Sequence, residues 1–283
     1  MHILITGANG QLGQSIVPIL EPFHHISPFS KYHLDITHTD LLKDKLTNLK
    51  PEYILNFAAY NHVDLAQKEL KKCDEINHLA VKKLASLTYQ YGIGLIHISS
   101  NYVFSGECDH LYTEQEIAQP INYYGLSKYR GEQTVLQENP QAIIIRTSSL
   151  YSPFRNNFMT KIVRQIKEKK TISVVNDAYT QPTSCHSLAL FIQYILEQKP
   201  ELSGIIHFTD DKVYSWYEYA QVIALTCSQY LPLSANIIPI QASPKSIRPK
   251  YALLDNSFRK DFFDNQKMKD MINSTVIKII SME

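Results

Sequence analysis

Three side chains near the middle of the chain have the types and spacing for carbonyl chemistry: Ser100, Tyr124 and Lys128. Tyr124 and Lys128 are i and i+4, so a helix carries both on one face. An ammonium beside a phenol favours the phenolate, lowering the phenol pKa from its usual value of about 10. Such a phenol can give a proton to a carbonyl oxygen while hydride arrives from a nicotinamide. Ser100 lies in the run Ser99-Ser100-Asn101-Tyr102-Val103-Phe104 and offers a hydroxyl to the same oxygen, with Ser99 as a backbone-facing neighbour. In a chain with 18 tyrosines, Y-x-x-x-K alone also arises by chance, so its context matters. That context begins at Thr6-Gly7-Ala8-Asn9-Gly10-Gln11-Leu12-Gly13, a G-x-x-G-x-x-G turn directly after an apolar run. Glycines there allow a tight turn and let backbone N–H groups approach a pyrophosphate at a helix N-terminus. A ligand-free glycine turn is the bland alternative; its place between the first strand and first helix favours a dinucleotide.

The elements that must hold these residues alternate. Residues 2–6, 24–28, 53–56, 94–99 and 142–146 read as short, mostly apolar strands. Between them, residues 11–20, 41–49, 76–91 and 127–137 carry apolar side chains at helical spacing. Strand then helix, repeated, predicts an α/β fold: a doubly wound, Rossmann-type parallel sheet with helices on both faces. Runs such as Ala142-Ile143-Ile144-Ile145 fit strands buried on both sides. After residue 150 the rhythm changes. Residues 158–168, 186–196 and 215–228 read as helices, and 172–175 and 205–209 as strands. Pro232, Pro239, Pro244 and Pro249 then break up a looser region before a final helix. The expected division is a dinucleotide-binding domain over 1–150 and a smaller substrate lobe over 151–283, some of whose segments return to the sheet.

Cofactor choice belongs to the end of the second strand, where an acidic residue would bond a ribose 2′-hydroxyl and a basic one would accept a 2′-phosphate. The chain has Pro28-Phe29-Ser30-Lys31 there, with no carboxylate until Asp35. Ser30 and Lys31 are therefore expected to hold the phosphate of NADPH, with NADH the alternative should Lys31 be a solvated surface lysine. Asp35-Ile36 is placed for the adenine.

Composition narrows the rest. The 283 residues carry a formal net charge of +1, and 44% are hydrophobic against 19% charged, ordinary for a globular protein. No basic excess points to nucleic acid, so an anionic ligand has to be caught by a local site. No run approaches the roughly 18 apolar residues of a membrane helix. The opening Met-His-Ile-Leu-Ile-Thr-Gly has too short an apolar stretch for a signal peptide, so a cytoplasmic location is expected. Cys73, Cys108, Cys185 and Cys227 lack C-x-x-C spacing, and the 11 histidines lack acidic partners at metal-binding spacing; no metal site is expected. His97 and His207 read as core or rim residues on strands, and Trp216 as packing between the lobes.

Taken in order, these residues resemble the extended short-chain dehydrogenase/reductases, and within them the dTDP-4-dehydrorhamnose reductase family. Besides the glycine turn, Asn56-Phe57-Ala58-Ala59-Tyr60 stands where that family has N-A-A-A-Y, with Asn77 in the helix that follows. Ser100 to Phe104 answers S-T-D-Y-V-F, and Tyr124-Gly125-Leu126-Ser127-Lys128 is followed by Gly131-Glu132. Further matches are Arg146-Thr147-Ser148, Asn157-Phe158, Val174-Val175, Pro182-Thr183, His207, Ser215-Trp216 and Arg248-Pro249. The likeness spans nearly the whole chain.

The resemblance implies Ser100 in place of the catalytic threonine, with Tyr124 and Lys128 completing a triad in which Lys128 also holds the nicotinamide ribose. It implies cofactor contacts from Gly7, Asn9, Gly10, Gln11, Leu12, Gly13, Ala58, Ala59 and Tyr60, and places Arg146, Thr147 and Ser148 near the nicotinamide. Asn61, Val63, Ser100, Asn101, Tyr102 and Ser149 are implied at the substrate. The implied reaction is NADPH-dependent reduction of the 4-keto group of a nucleoside-diphosphate 6-deoxyhexose, and a homodimer is compatible with it. Departures cluster at the sugar: Asn61 replaces a threonine, Asn101 an aspartate and Ser149 a tryptophan, while D-Q-x-G-x-P-T becomes Asp177-Ala178-Tyr179-Thr180-Gln181-Pro182-Thr183. Two other readings stay open, an epimerase or dehydratase with bound NAD and a non-catalytic cofactor-binding regulatory subunit.

Overall fold

The computed structural model describes residues 1–168, 170–231, 236–243, 247–260 and 265–282. The first half runs β1 (His2–Thr6), α1 (Gln11–Leu20), β2 (His25–Phe29), α2 (Thr39–Leu49) and β3 (Tyr53–Asn56). Two short helices follow, α3 (Val63–Ala66) and α4 (Leu70–Asp74). A π-helical turn over Glu75–Leu79 then leads into α5 (Ala80–Tyr91). β4 (Gly94–Ser100), α6 (Tyr123–Glu138) and β5 (Ile143–Thr147) complete this half.

The second half contains β6 (Leu150–Tyr151), α7 (Phe158–Lys167), β7 (Ile172–Val175), β8 (Tyr179–Thr180) and β9 (Thr183–Ser184). Then come α8 (Cys185–Gln198), β10 (Gly204–Phe208), β11 (Tyr214–Ser215) and α9 (Trp216–Ser228). β12 (Ile237–Ile240), α10 (Ser257–Lys260) and α11 (Asn265–Met282) end the chain.

Six parallel strands form the central sheet in the order β2-β1-β3-β4-β5-β10. The chain leaves β1 outward to β2 and returns on its other side to β3. This reversal opens a crevice at the carboxyl ends of β1 and β3, where open α/β sheets hold their ligands. The apolar runs of β1 and β5, and those flanking His97 in β4, follow from burial on both faces. One face packs Ile3, Ile5 and Ile145 against α1 and α8; the other packs Leu4, Ile54 and Ile144 against α2 and α5. A third core, built from Met159, Ile162, Tyr219 and Val276, joins α7, α9 and α11.

β10 and α8 lie with the sheet, although both come from beyond residue 150. Two expectations need revision. β2 begins at His25 rather than His24, and the proline-broken region contributes β12, parallel to β7. Pro239 is tolerated there because β12 belongs to a two-stranded sheet and has a free edge. Pro232 and Pro244 lie outside the described residues. Among the described residues no helix is long and apolar enough to cross a membrane.

Candidate active site

The glycine turn lies at the switch-point crevice. Gly7 has φ 66°, and a Cβ there would come within 2.7 Å of the Ala58 nitrogen and Phe57 carbonyl carbon. A side chain is thus excluded where β1 and β3 diverge. Gly13 rests on the Ala8 backbone at a distance no Cβ could share, which draws α1 against the turn. Gly10 caps α1 in an extended conformation, and an added Cβ would meet only the Gly7 carbonyl oxygen, at 3.1 Å. The first N–H groups of a helix with no acid in its first turn, reached by a glycine turn, fit a dinucleotide pyrophosphate. Leu12 is buried in the core, so it would meet a cofactor through its backbone.

Ser30 is brought beside this turn, since the Ala8 N–H donates to the Phe29 carbonyl at 3.0 Å. Its hydroxyl, however, is hydrogen-bonded to His33 Nδ1 at 3.0 Å. Lys31 is exposed and lies 3.5 Å from Asp35. Asp35 Oδ1 accepts from the Thr37 N–H and hydroxyl at 3.0 and 2.8 Å. Burial raises the Asp35 carboxyl pKa, but the Thr37 bonds and Lys31 outweigh it and hold it below the usual value. Asp35 thereby closes its own turn, and Ile36 is buried in the core.

Asn122 caps α6, its side-chain oxygen accepting from the Gly125 N–H at 2.8 Å, so Tyr124 sits in the first turn. The helix thus starts four residues before the expected 127. Ser100 ends β4, and its hydroxyl donates to Asn101 Oδ1 at 3.4 Å, accepts from the Tyr102 N–H at 3.2 Å, and acts on the Tyr124 phenol to favour its ionised form. The Tyr102 ring meets that of Tyr124 edge-on at 5.7 Å. The phenol can also donate to Asn61 Oδ1, at 3.5 Å.

Lys128 does not act on the phenol as expected. Its ammonium donates to the Ile98 carbonyl at 2.6 Å. Burial pushes the Tyr124 pKa up to about 12, offset only in part by Ser100. Burial also pulls Lys128 down to about 8, against the Glu132 carboxylate, which favours its charge. In the protein itself, desolvation thus outweighs the attraction assumed from spacing. Tyr124 remains a proton carrier, and Lys128 is an amine that readily gives up its charge.

Two positioning residues had no role assigned from sequence. Asn77, in the π-helical turn, accepts from the Tyr60 N–H at 2.8 Å and donates to the Tyr60 carbonyl and Ser127 hydroxyl, both at 3.0 Å. This clamps the segment after β3 to the face of α6 that carries Tyr124. Tyr60 is accordingly a buried anchor, with its phenol donating to Glu69 at 2.9 Å. Glu132, one turn beyond Lys128, accepts from Ser99 and holds Arg146 at 2.8 and 3.0 Å. Ser99 therefore points into a buried ion pair, not toward the backbone, and Arg146 is the cation of that pair.

A cavity of about 1180 Å³ lies next to the triad, between the segment after β3 and α7, α9 and β12. Asn61, Val63 and Tyr102 line it, while Ser100, Asn101 and Ser149 do not. Asn101 is buried and donates to the Ala252 carbonyl at 2.7 Å and Ser148 at 3.3 Å. Ser149 accepts from Thr180 at 2.8 Å. Sequence reasoning missed much of the wall, including Lys161, Phe158 and the Arg248–Asp64 ion pair at 2.7 Å. Trp216 packs on Phe158 at 4.7 Å within the smaller lobe and also lines the cavity, so it is not inter-lobe packing.

The model of the RmlD substrate binding domain matches residues 1–276. The chain belongs to this family. It is 32% identical over 265 residues to dTDP-4-dehydrorhamnose reductase of Aggregatibacter actinomycetemcomitans, covering 90% of each chain. A dTDP-4-keto-6-deoxy-D-glucose reductase of Streptomyces niveus is 32% identical over 221 residues, 77% of this chain and 76% of that one. The crystal structure of dTDP-4-dehydrorhamnose reductase from Bacillus anthracis in complex with NADP superposes with TM-score 0.90 at 32% identity. It covers 97% of this chain and 99% of that one.

Proposed function

We propose that this protein reduces the 4-keto group of a nucleoside-diphosphate 6-deoxyhexose with NADPH, through Ser100, Tyr124 and Lys128. The observation that carries this reading is the placing of Ser100 and Tyr124 about Tyr102, which donates its N–H to the first, meets the ring of the second edge-on and lines a cavity large enough for a sugar nucleotide. Bound NADPH supplies the hydride. Tyr124, protonated across the neutral range, gives its proton to the carbonyl oxygen that Ser100 holds. Lys128 restores that proton from its own ammonium. In the cavity, Lys161 and Arg248 supply the positive charge for the diphosphate, and Trp216 with Phe158 supplies a flat apolar wall. The keto-sugar is dTDP-4-dehydrorhamnose or one closely related, with Asn61 in the cavity wall altering how its ring is held.

An epimerase or dehydratase would need a further proton carrier just after Ser100. Asn101 has no titrating group, and Ala252 and Ser148 occupy its amide. A regulatory subunit would have no need of a buried phenol at Tyr124 with a hydroxyl at the end of β4 beside Tyr102. NADPH consumption with purified dTDP-4-dehydrorhamnose separates the three readings. The reductase oxidises one NADPH per sugar. Isomerisation without net oxidation would mark an epimerase, and cofactor binding without turnover a regulatory subunit. Because Lys128 loses its charge near pH 8, kcat/KM is expected to fall as pH rises through about 8. A profile flat to pH 10 would remove Lys128 from the proton path.

A further inference from the structure

Arg155 and Lys50 are the non-glycine residues, among those described, whose φ is positive, at 58° and 46°. Lys50 closes α2 as a left-handed C-cap, a frequent position for that conformation. Arg155 has no such reason, since it lies two residues before Asn157, the cap of α7. A side chain held in this region costs free energy, and such outliers persist where surrounding contacts enforce them. Here they do. Arg155 Nε donates to the Asn9 carbonyl in the glycine turn at 2.7 Å. Ser152 and Asn157, on either side, donate to Gln11 Oε1 at 3.2 and 2.9 Å. Residues 152–157 are thereby seated on the turn that opens α1.

Nε is used by Asn9, which leaves the two terminal amino groups of the guanidinium. Among the described residues no carboxylate pairs with Arg155. The first turn of α1, Gln11-Leu12-Gly13-Gln14, carries no charge, and Lys31 shares Asp35. With a net charge of +1 over the whole chain, no general field draws an anion to this turn. Arg155 is the cation anchored on it.

We propose that Arg155 is a cofactor-binding residue whose guanidinium, fixed through Nε on Asn9, takes the pyrophosphate of the dinucleotide at the N-terminus of α1. This rests on the cofactor reading above. The test compares the parent with Arg155→Gln and Arg155→Lys, which share the backbone strain and differ in charge. NADPH and NADH are each titrated by nicotinamide fluorescence at low and high salt, and thermal unfolding is followed without cofactor. Arg155→Gln should weaken both cofactors by about 10-fold, the loss of one charge-assisted bond, and the loss should shrink as salt screens it. Arg155→Lys should regain most of the affinity, and both variants should unfold at the same temperature. Unchanged affinity in Arg155→Gln overturns the proposal, as does a loss confined to NADPH, which would place the contact on the 2′-phosphate. A parent protein that binds neither dinucleotide overturns the cofactor reading itself, and the role of Arg155 with it.

Discussion

Tyr124→Phe should bind NADPH as tightly as the parent while single-turnover oxidation falls roughly 100- to 10,000-fold, the usual worth of a positioned general acid. The substitution removes one hydroxyl from a ring that stays packed on Tyr102, so fold and cofactor site are left alone. The loss is specific because the phenol is buried against Tyr102 beside Asn61, an arrangement no bulk water reproduces. Ser100→Ala should lose less, since water can replace a hydrogen bond to the carbonyl more readily than it can replace a proton donor. Reduction by Tyr124→Phe at the parent rate, with normal NADPH binding, would mean that the acid is another group.

Glu132→Ala should be the most damaging of the structural changes, costing about 3–5 kcal/mol in denaturant unfolding. Its carboxylate is fully buried and receives Ser99 from β4 and Arg146 from β5, so α6 and two strands meet on it. Removing it leaves the Arg146 guanidinium without its counter-charge among buried neighbours, where an unpaired ion is far costlier than a paired one. Replacing both partners together, Glu132→Leu with Arg146→Met, should recover much of the loss because no charge is then stranded. A single variant within about 1 kcal/mol of the parent would give the pair the small worth of an exposed ion pair.

The inner strands β1, β3 and β5 were legible because each is a largely apolar run, and residues 2–6, 53–56 and, outside the central sheet, 172–175 were placed to the residue. Less legible was β12, whose Pro239 reads as a breaker until its position in a two-stranded sheet is known. The π-helical turn at Glu75–Leu79 has no periodicity of its own, yet it brings Asn77 onto Tyr60 and Ser127. In the candidate site, the i,i+4 spacing put Tyr124 and Lys128 on one helix face. It did not carry their electrostatics, because burial and the Ile98 carbonyl decide where the lysine charge goes. Asn101 and Ser149 stand in sugar positions by sequence order, but their side chains turn to Ser148, Ala252 and Thr180. Hydrogen-bond partners brought from more than 100 residues away, as with Asn101 and Ala252, leave no local pattern to read.

Hydride transfer to the sugar is tested most directly by supplying NADPH with both C4 positions of the nicotinamide deuterated, together with dTDP-4-dehydrorhamnose, and locating the label by NMR. The predicted result is one deuterium at C4 of the 6-deoxyhexose product for each cofactor oxidised, with none in a Tyr124→Phe reaction stopped at the same time. Product formed without deuterium at C4, or no product although the cofactor is bound, would contradict the assignment of this chain as a 4-keto reductase.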